Sequence, residues 1–296
     1  MPMNKRITFP PLLRSFFLWT FSVILTLLCV AYQDRTGPTY PLEGDVQTRG
    51  GTIHFKFLRS ETIGHTLTVM LAEPLPEGIS AFVRYRRFKS HDDWSSLPFE
   101  PGTFQFSRRG FHETVGGLGA RLPGLTERAG KYEYFVYVDT GDGKKISVTG
   151  ENPVYARYKG EVPTWVLIIH IVVIFASMTF ALRTVIEALA NGTFTWMLRT
   201  TVLCLLLGAF VLGPLVQRYA FGVWWSGLPF GYDWTDNKVL VELGAWIYAL
   251  AMNRDNRRDR RSVYLAGILT LIVYLIPHSM FGSEFDYTKG RGIGAE

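Results

Sequence analysis

Five apolar segments, each close to the length that crosses a lipid bilayer, constrain the fold of this chain more than any other feature. A helix needs about 20 mostly apolar residues to cross the ~30 Å hydrocarbon core. The fourth segment reaches that length only if its polar start at Lys238 is counted. The sequence therefore predicts a membrane bundle of five helices, and the segments are 15–32, 164–182, 200–216, 236–252 and 263–280.

Between the first two apolar segments, residues 33–162 have the pattern of a soluble β-domain. Short runs of alternating apolar and polar residues are separated by turn sequences such as Glu100-Pro101-Gly102. Several short strands at this spacing indicate an antiparallel sandwich. The predicted strands are 52–57, 66–71, 81–86, 103–106, 132–138 and 145–148.

One stretch of this region, LPGLTERAGKYEYFVYV at 122–138, resembles fibronectin type III and immunoglobulin-like domains. In those domains a leucine turn precedes a tyrosine whose hydroxyl ties down the corner, and the resemblance gives that role to Tyr132. Tyr132, Tyr134, Val136 and Val138 are also expected on one face of a strand, because side chains alternate with period two. The expected architecture is a membrane bundle with an inserted all-β immunoglobulin-like sandwich.

Positive charge indicates the orientation of the predicted helices. Residues 1–14, 183–199 and 253–261 contain three, two and five Lys or Arg residues, and cytoplasmic loops are enriched in these residues. We therefore expect residues 1–14 to be cytoplasmic, and the sandwich and the tail at 281–296 to be external. The net charge of +6 fits this topology and does not call for a nucleic-acid partner. A cleaved signal peptide is the alternative for the first segment; its ~17 apolar residues are long for one.

An aromatic segment at 221–238, FGVWWSGLPFGYDWTDNK, connects the third and fourth apolar segments. Trp224, Trp225 and Trp234 are typical of membrane–water interfaces, since each has an apolar body and a polar tip. Asp236 lies where the next helix is expected to begin and would serve as its N-cap. We interpret the tryptophans as interfacial anchors first and as a cofactor-stacking platform second.

Three ionisable side chains are predicted to lie in the outer part of the membrane. From a rise of ~1.5 Å per residue, His170 and His278 would lie roughly 20 Å above the inner surface, and Glu242 about 6 Å below the outer one. Such groups usually face the bundle interior or water. Each also has a structural interpretation: His170 as donor to a neighbouring carbonyl, His278 as an interfacial hydrogen-bonding group, and Glu242 as an ion pair with Lys238.

These residues suggest two kinds of cofactor site. Two histidines at one depth on different helices match the axial ligands of a b-type haem. A divalent metal bound by His170 or His278 together with carboxylates is the other possibility. The candidate carboxylates are those of Asp233, Asp236, Glu242 and Glu284.

The aromatic segment with its flanking histidines also resembles the haem-handling proteins of cytochrome c maturation. Those proteins place an external tryptophan-rich loop ending in aspartate between histidines, as Trp224, Trp225, Asp233 and Trp234 stand between His170 and His278. The close W-x-W-D spacing of that family is missing here. The segments ENPVYARYKGEVPTWVL, PFGYDWTDNK and YLIPHSMFGSE resemble uncharacterised bacterial inner-membrane proteins, which implies that location and supplies no activity.

No catalytic motif is present in the sequence. It has no H-E-x-x-H, P-loop, G-x-S-x-G or C-x-x-C, so no residue is predicted to be catalytic. The first hypothesis is a non-catalytic inner-membrane module, a subunit or assembly factor of an electron-transfer complex, whose sandwich binds a protein partner. The second is a haem- or metal-binding redox or haem-handling protein, and the third a transporter or sensor using Glu242 and Lys238.

The haem hypothesis makes a spectroscopic prediction. If His170 and His278 are axial ligands, the protein purified gently in detergent will show a stoichiometric Soret band that His170→Ala and His278→Ala each abolish. A colourless, metal-free protein that stays so after haem supplementation would contradict it.

Overall fold

The computed structural model describes residues 10–48, 50–108, 111–139, 145–255, 257–277 and 282–292, and for 106–108 and 111–113 it describes the backbone alone. Within these ranges the chain forms two compact units. A helical unit comprises 10–36, 163–216 and 234–277. A β unit comprises 37–162, 217–233 and 282–292.

The described residues contain five helices. They are α1 (Pro11–Thr36), α2 (Thr164–Leu189), α3 (Thr195–Phe221), α4 (Trp234–Met252) and α5 (Arg260–Leu275). In the helical unit α2 packs against α1, α3 and α5, and α4 packs against α3 and α5.

Three of the helices, α1, α2 and α3, are long and apolar enough to cross a membrane. The other two helices are more polar or shorter. Helix α4 carries Asp236, Lys238 and Glu242 in its first half, and α5 has only 16 residues. At 1.5 Å per residue, α5 is about 24 Å long, shorter than a ~30 Å hydrocarbon core.

Helix α3 is not regular along its length. Residues Leu206–Leu212 form a π-helical segment between two α-helical parts, and Gly213 N–H donates to the Gly208 carbonyl five residues earlier. Pro214 follows directly and has no N–H to donate, which interrupts the regular helical ladder. π-Helical segments often occur at functional sites.

Helix α5 ends earlier than the predicted segment 263–280. Its last helical residue is Leu275, and Ile276 has an extended conformation with ψ of 119°. Proline disfavours the helical conformation in the residue before it, so Pro277 explains this end. The helical rise therefore gives no depth for His278, and that residue lies outside the described ranges.

The β unit contains two main sheets and a short C-terminal hairpin. In the first sheet the strand order is β1 (Leu42–Thr48), β2 (Gly51–Phe57), β4 (Leu67–Ala72), β8 (Phe111–Leu122) and β7 (Glu100–Arg108). In the second it is β3 (Ser60–Thr62), β11 (Val154–Lys159), β9 (Lys131–Asp139), β5 (Ser80–Arg87) and β6 (Ser95–Pro98), and β10 (Lys145–Ser147) also pairs with β9. The hairpin joins β12 (Phe285–Asp286) and β13 (Arg291–Gly292).

Both sheets contribute to one hydrophobic core. Phe57, Leu71 and Leu122 come from the first sheet, and Val83 and Val136 from the second. All six strands predicted between residues 52 and 148 are present with shifted ends. The expected face of β9 is confirmed, because its four side chains are all buried: Tyr132, Tyr134, Val136 and Val138.

Tyrosine hydroxyls tie this core to the backbone around it. Tyr134 donates to the Leu58 carbonyl at 3.2 Å, and Tyr158 donates to the Pro123 carbonyl at 3.2 Å. Pro123 belongs to the corner for which Tyr132 was the expected tether. The hydroxyl that reaches this corner is that of Tyr158 on β11, while the Tyr132 ring packs edge-on against the rings of Tyr85 and Tyr158.

Removing the Tyr158 hydroxyl will test this tether. Tyr158→Phe loses a hydrogen bond from a fully buried side chain, which costs about 1 kcal/mol and lowers the melting temperature of the β unit by about 3 °C. The matched change Tyr155→Phe, on the same strand but exposed, is expected to leave the temperature unchanged. Equal effects in thermal unfolding followed by near-ultraviolet circular dichroism would refute the tether.

Candidate functional site

Two segments far along the chain complete the β unit. Gly160 N–H, just after β11, donates to the Ala220 carbonyl at 2.8 Å. The C-terminal hairpin bonds to the loop before β9, where Phe285 N–H donates to the Ala129 carbonyl at 3.0 Å. The guanidinium of Arg87 also lies 4.5 Å from the centre of the Tyr287 ring.

These segments cover polar side chains on the outer face of the second sheet. In β11, Val154, Ala156 and Tyr158 face the core, so Arg157 faces outward by the period of a strand. Arg157 is nevertheless buried, with its guanidinium 5.6 Å from the centre of the Phe221 ring. On the neighbouring strand β9, Lys131 lies directly opposite Arg157.

Glu284 from the C-terminal segment neutralises part of the positive charge of Lys131 and Arg157. Its carboxylate accepts hydrogen bonds from Lys131 at 2.8 Å and from Lys89. Burial alone would raise the pKa of Glu284, but the two ammonium groups outweigh it and hold that pKa below its usual value. The pKa of Lys131 is lowered, first by burial and then by the charge of Arg157. The neighbouring charge of Arg157 thus disfavours the protonated form of Lys131.

Asp233 organises the loop between α3 and α4. Its carboxylate accepts from the Ser226 hydroxyl at 3.1 Å and from the Ser283 N–H at 3.2 Å. Gln217 donates to the Ser226 oxygen at 2.7 Å. Asp233 and Ser226 are both buried, so these contacts satisfy polar groups that water does not reach. Asp233 also attracts the charge of Arg157, which links the loop to the sheet.

The same loop exposes its aromatic rings. Trp224, Phe230 and Tyr232 are exposed, and the Trp225 indole N–H donates to the Leu228 carbonyl at 3.1 Å. Trp234, in the helical unit, is exposed as the first residue of α4. Exposed Trp and Tyr rings of this kind are typical of the membrane interface.

A chain of buried polar side chains joins α4 to α5 in the helical unit. Trp246 donates its indole N–H to the Thr270 hydroxyl at 2.8 Å, and Thr270 donates to the Glu242 carboxylate at 2.9 Å. One turn before Glu242, the buried Lys238 donates to the Ile276 carbonyl at 2.7 Å. That carbonyl lies just past the end of α5, where helical partners are missing.

His170 on α2 contacts the π-helical segment of α3. Its Nδ1 lies 3.1 Å from the Gly208 carbonyl oxygen. A carbonyl oxygen can only accept a hydrogen bond, so Nδ1 carries a proton, and in the neutral ring Nε2 is an acceptor. The expectation that His170 satisfies a neighbouring carbonyl matches this geometry. Metal-bound histidines also commonly donate their second ring N–H to a backbone carbonyl.

The candidate metal ligands are divided between the two units. Asp233 and Glu284 belong to the β unit, whereas Asp236 and Glu242 belong to the helical unit. Asp236 lies in the first turn of α4 rather than at its N-cap, because the helix begins at Trp234. Within the described ranges, no three His, Cys, Asp or Glu side chains are grouped as metal ligands.

Several polar residues that are central in the structure could not be recognised from the sequence. Arg157 lies on β11, which was not among the predicted strands, and its burial depends on distant chain segments. Trp246 in α4 and Thr270 in α5 lie among apolar residues, so the sequence does not distinguish them from ordinary helix residues. Helical spacing alone carries a usable sign only for Trp246, which lies one turn after Glu242 on the same face.

Comparison with protein-family models, with characterised proteins and with solved structures found no match to this chain. The assignment of function therefore rests on the chain's own geometry.

The Glu284 ion pairs predict a dependence of stability on acid. Since the pKa of Glu284 is lower in the folded protein than in the unfolded chain, its contribution is present above about pH 4.5 and is lost as the pH falls through the folded value. Glu284→Gln is expected to lower the melting temperature at pH 7 and to flatten its decline on acidification. Glu151→Gln, at an exposed turn residue, is the control and is expected to behave like wild type. An acid profile of Glu284→Gln identical to wild type would contradict the assignment.

Proposed function

We propose that this chain is a non-catalytic bacterial inner-membrane module whose immunoglobulin-like domain binds a protein partner on the external side. In this proposal all five helices span the membrane, with the N-terminus cytoplasmic. The helical lengths of α1, α2 and α3 support three spans directly. For α4 and α5, mutual packing and the Trp246–Thr270–Glu242 chain support a place inside a bundle, where polar side chains need internal partners.

The strand order supports an immunoglobulin-like domain. Immunoglobulin constant-type domains have one sheet in the order A-B-E-D and a second containing C, F and G. If β2, β4, β7 and β8 correspond to A, B, D and E, the first sheet has this order with β1 added at its edge. The second sheet follows C-F-G with β5, β9 and β11, and β6 extends it beyond β5.

The observation that carries partner binding is a strip of aromatic rings and cations on the outer face of the second sheet. Phe82 and Tyr137 are cross-strand partners with stacked rings 5.1 Å apart. The Trp94 ring lies 5.6 Å from that of Phe135, and the guanidiniums of Arg84 and Arg86 lie 5.2 and 4.6 Å from the Trp94 ring. We call this set the aromatic–arginine strip: Phe82, Arg84, Arg86, Trp94, Phe135 and Tyr137.

The composition of the strip favours a protein partner. Tyr, Trp, Phe and Arg are enriched in protein interfaces and dominate their binding energy, since they bury a large area with few rotatable bonds lost. The rings are only partly buried, so each has area left for a partner. Arg84 is the exposed cation of the strip, and we infer a partner surface with acidic groups around an apolar centre. A component of an electron-transfer complex, either mature or under assembly, is the proposed partner.

Charge reversal within the strip will test this function. The full chain is purified from native membranes after mild cross-linking, and the recovered proteins are quantified by mass spectrometry. Arg84→Glu is expected to reduce a specifically enriched partner by about tenfold or more, because it opposes acidic groups at the contact. The protein recovered must then bind purified wild-type chain directly, with the same loss in Arg84→Glu.

The matched control is Lys56→Glu, a charge reversal on β2 in the other sheet. It is expected to recover the partner at the wild-type level. If Arg84→Glu and Lys56→Glu both retain every protein that wild type enriches, the strip is not the binding surface and the proposal fails.

One contact favours a second candidate function, a haem- or metal-binding membrane protein. The His170 Nδ1–Gly208 contact fixes the imidazole so that Nε2 is the nitrogen with a free lone pair, as a haem or metal ligand requires. The spectroscopic test of His170 and His278 decides it independently of the partner experiment.

A further inference from the structure

Three cationic residues are neighbours in the second sheet: Arg157 on β11, Lys131 on β9, and Arg59, which directly precedes β3. Arg157 and Lys131 are Cα partners across β11 and β9. On the other side, Arg157 N–H donates to the Arg59 carbonyl at 3.1 Å, just before β3. Like charges placed directly opposite each other on strands are destabilising. Such a row is favoured only if negative charge compensates it.

The charge present in the β unit compensates this row only in part. Glu284 is already bonded to both Lys131 and Lys89. Arg157 is attracted by Asp233 and Glu284, but its Nη1 has no hydrogen-bond partner in the described part of the chain. Only 8% of the surface of Arg157 is exposed, and Nη1 itself is buried. A buried charged donor without an acceptor carries a large free-energy cost.

A cavity of about 310 Å³ lies at this place. Its lining includes the three cations and Glu284, together with the rings of Phe88 and Tyr155. This volume is in the range of small-molecule sites, and a few convergent charged groups beside aromatic walls are typical of them. The net charge of these four ionisable side chains is +2, from three cations and one carboxylate.

We propose that this cavity binds a phosphate group, either as a free phosphate or as the headgroup of a lipid. Two guanidiniums, those of Arg157 and Arg59, are the donors, and guanidinium forks match the oxygens of phosphate in pairs. A phosphate dianion balances the +2 charge, whereas a single carboxylate leaves half of it uncompensated. Lys131 remains with Glu284 and adds long-range attraction. This site is separate from the aromatic–arginine strip and from the haem candidate residues.

The test measures binding of two probes to the full chain purified in detergent. Inorganic phosphate and dihexanoyl phosphatidic acid are each titrated calorimetrically at constant ionic strength. Wild type is expected to bind at least one of them saturably. Arg59→Gln, at a half-buried position, and Arg157→Lys, which keeps the charge but loses the fork, are each expected to weaken binding by about tenfold or more.

Arg121→Gln, an exposed arginine of the first sheet, is the control and is expected to bind like wild type. Binding of inorganic phosphate identifies a free anion as sufficient, and binding of phosphatidic acid alone identifies a lipid headgroup; both outcomes support the site. Absence of saturable binding by wild type with both probes overturns the proposal. So does binding that Arg59→Gln, verified as folded by circular dichroism, leaves unchanged.

Discussion

Compensation of buried positive charge on the second sheet is the interaction on which the β unit depends. Arg157 and Lys131 repel each other across β11 and β9, and the nearby carboxylate of Glu133 on β9 is already paired with Arg86 at 2.6 Å. The carboxylates come instead from Asp233 in the loop after α3 and from Glu284 before the C-terminal hairpin. A buried charge that loses its partner is strongly destabilising. The second sheet, the loop after α3 and the C-terminal hairpin therefore depend on one another for stability.

In the helical unit, hydrogen bonds between side chains play a comparable part. Besides the chain from Trp246 to Glu242, the hydroxyls of Thr26 on α1 and Thr179 on α2 lie 3.1 Å apart. Close backbone approach also matters, because a Cβ at Gly267 would lie 2.3 Å from the side chain of Val185. Lipid chains are as apolar as leucine, so helices in a bilayer associate through such polar contacts and small residues rather than through hydrophobicity.

Local pattern predicted much of the fold, and the misses have identifiable physical causes. Apolar length located the helices, and alternation located the buried face of β9. Strand β8 was missed because glycines at 116, 117 and 119 have low strand propensity. A Cβ at Gly117 would lie 2.1 Å from the Leu71 carbonyl oxygen, so close strand packing requires that glycine. The charge cluster was beyond prediction from sequence, since it joins Lys131, Arg157 and Glu284 from segments that only the folded chain brings together.

The hairpin of β12 and β13 follows the five described helices, yet it belongs to a unit whose first described strand begins at Leu42. During synthesis at the ribosome, the β strands up to Lys159 are made long before Glu284 and the hairpin are available to cover them. Until then Lys131 and Arg157 lack one of their carboxylates, and the outer face of β9 and β11 stays open. Completion of the β unit therefore requires synthesis of α2 to α5 first, and a chain that stops among these helices leaves the basic face of β9 and β11 without Glu284.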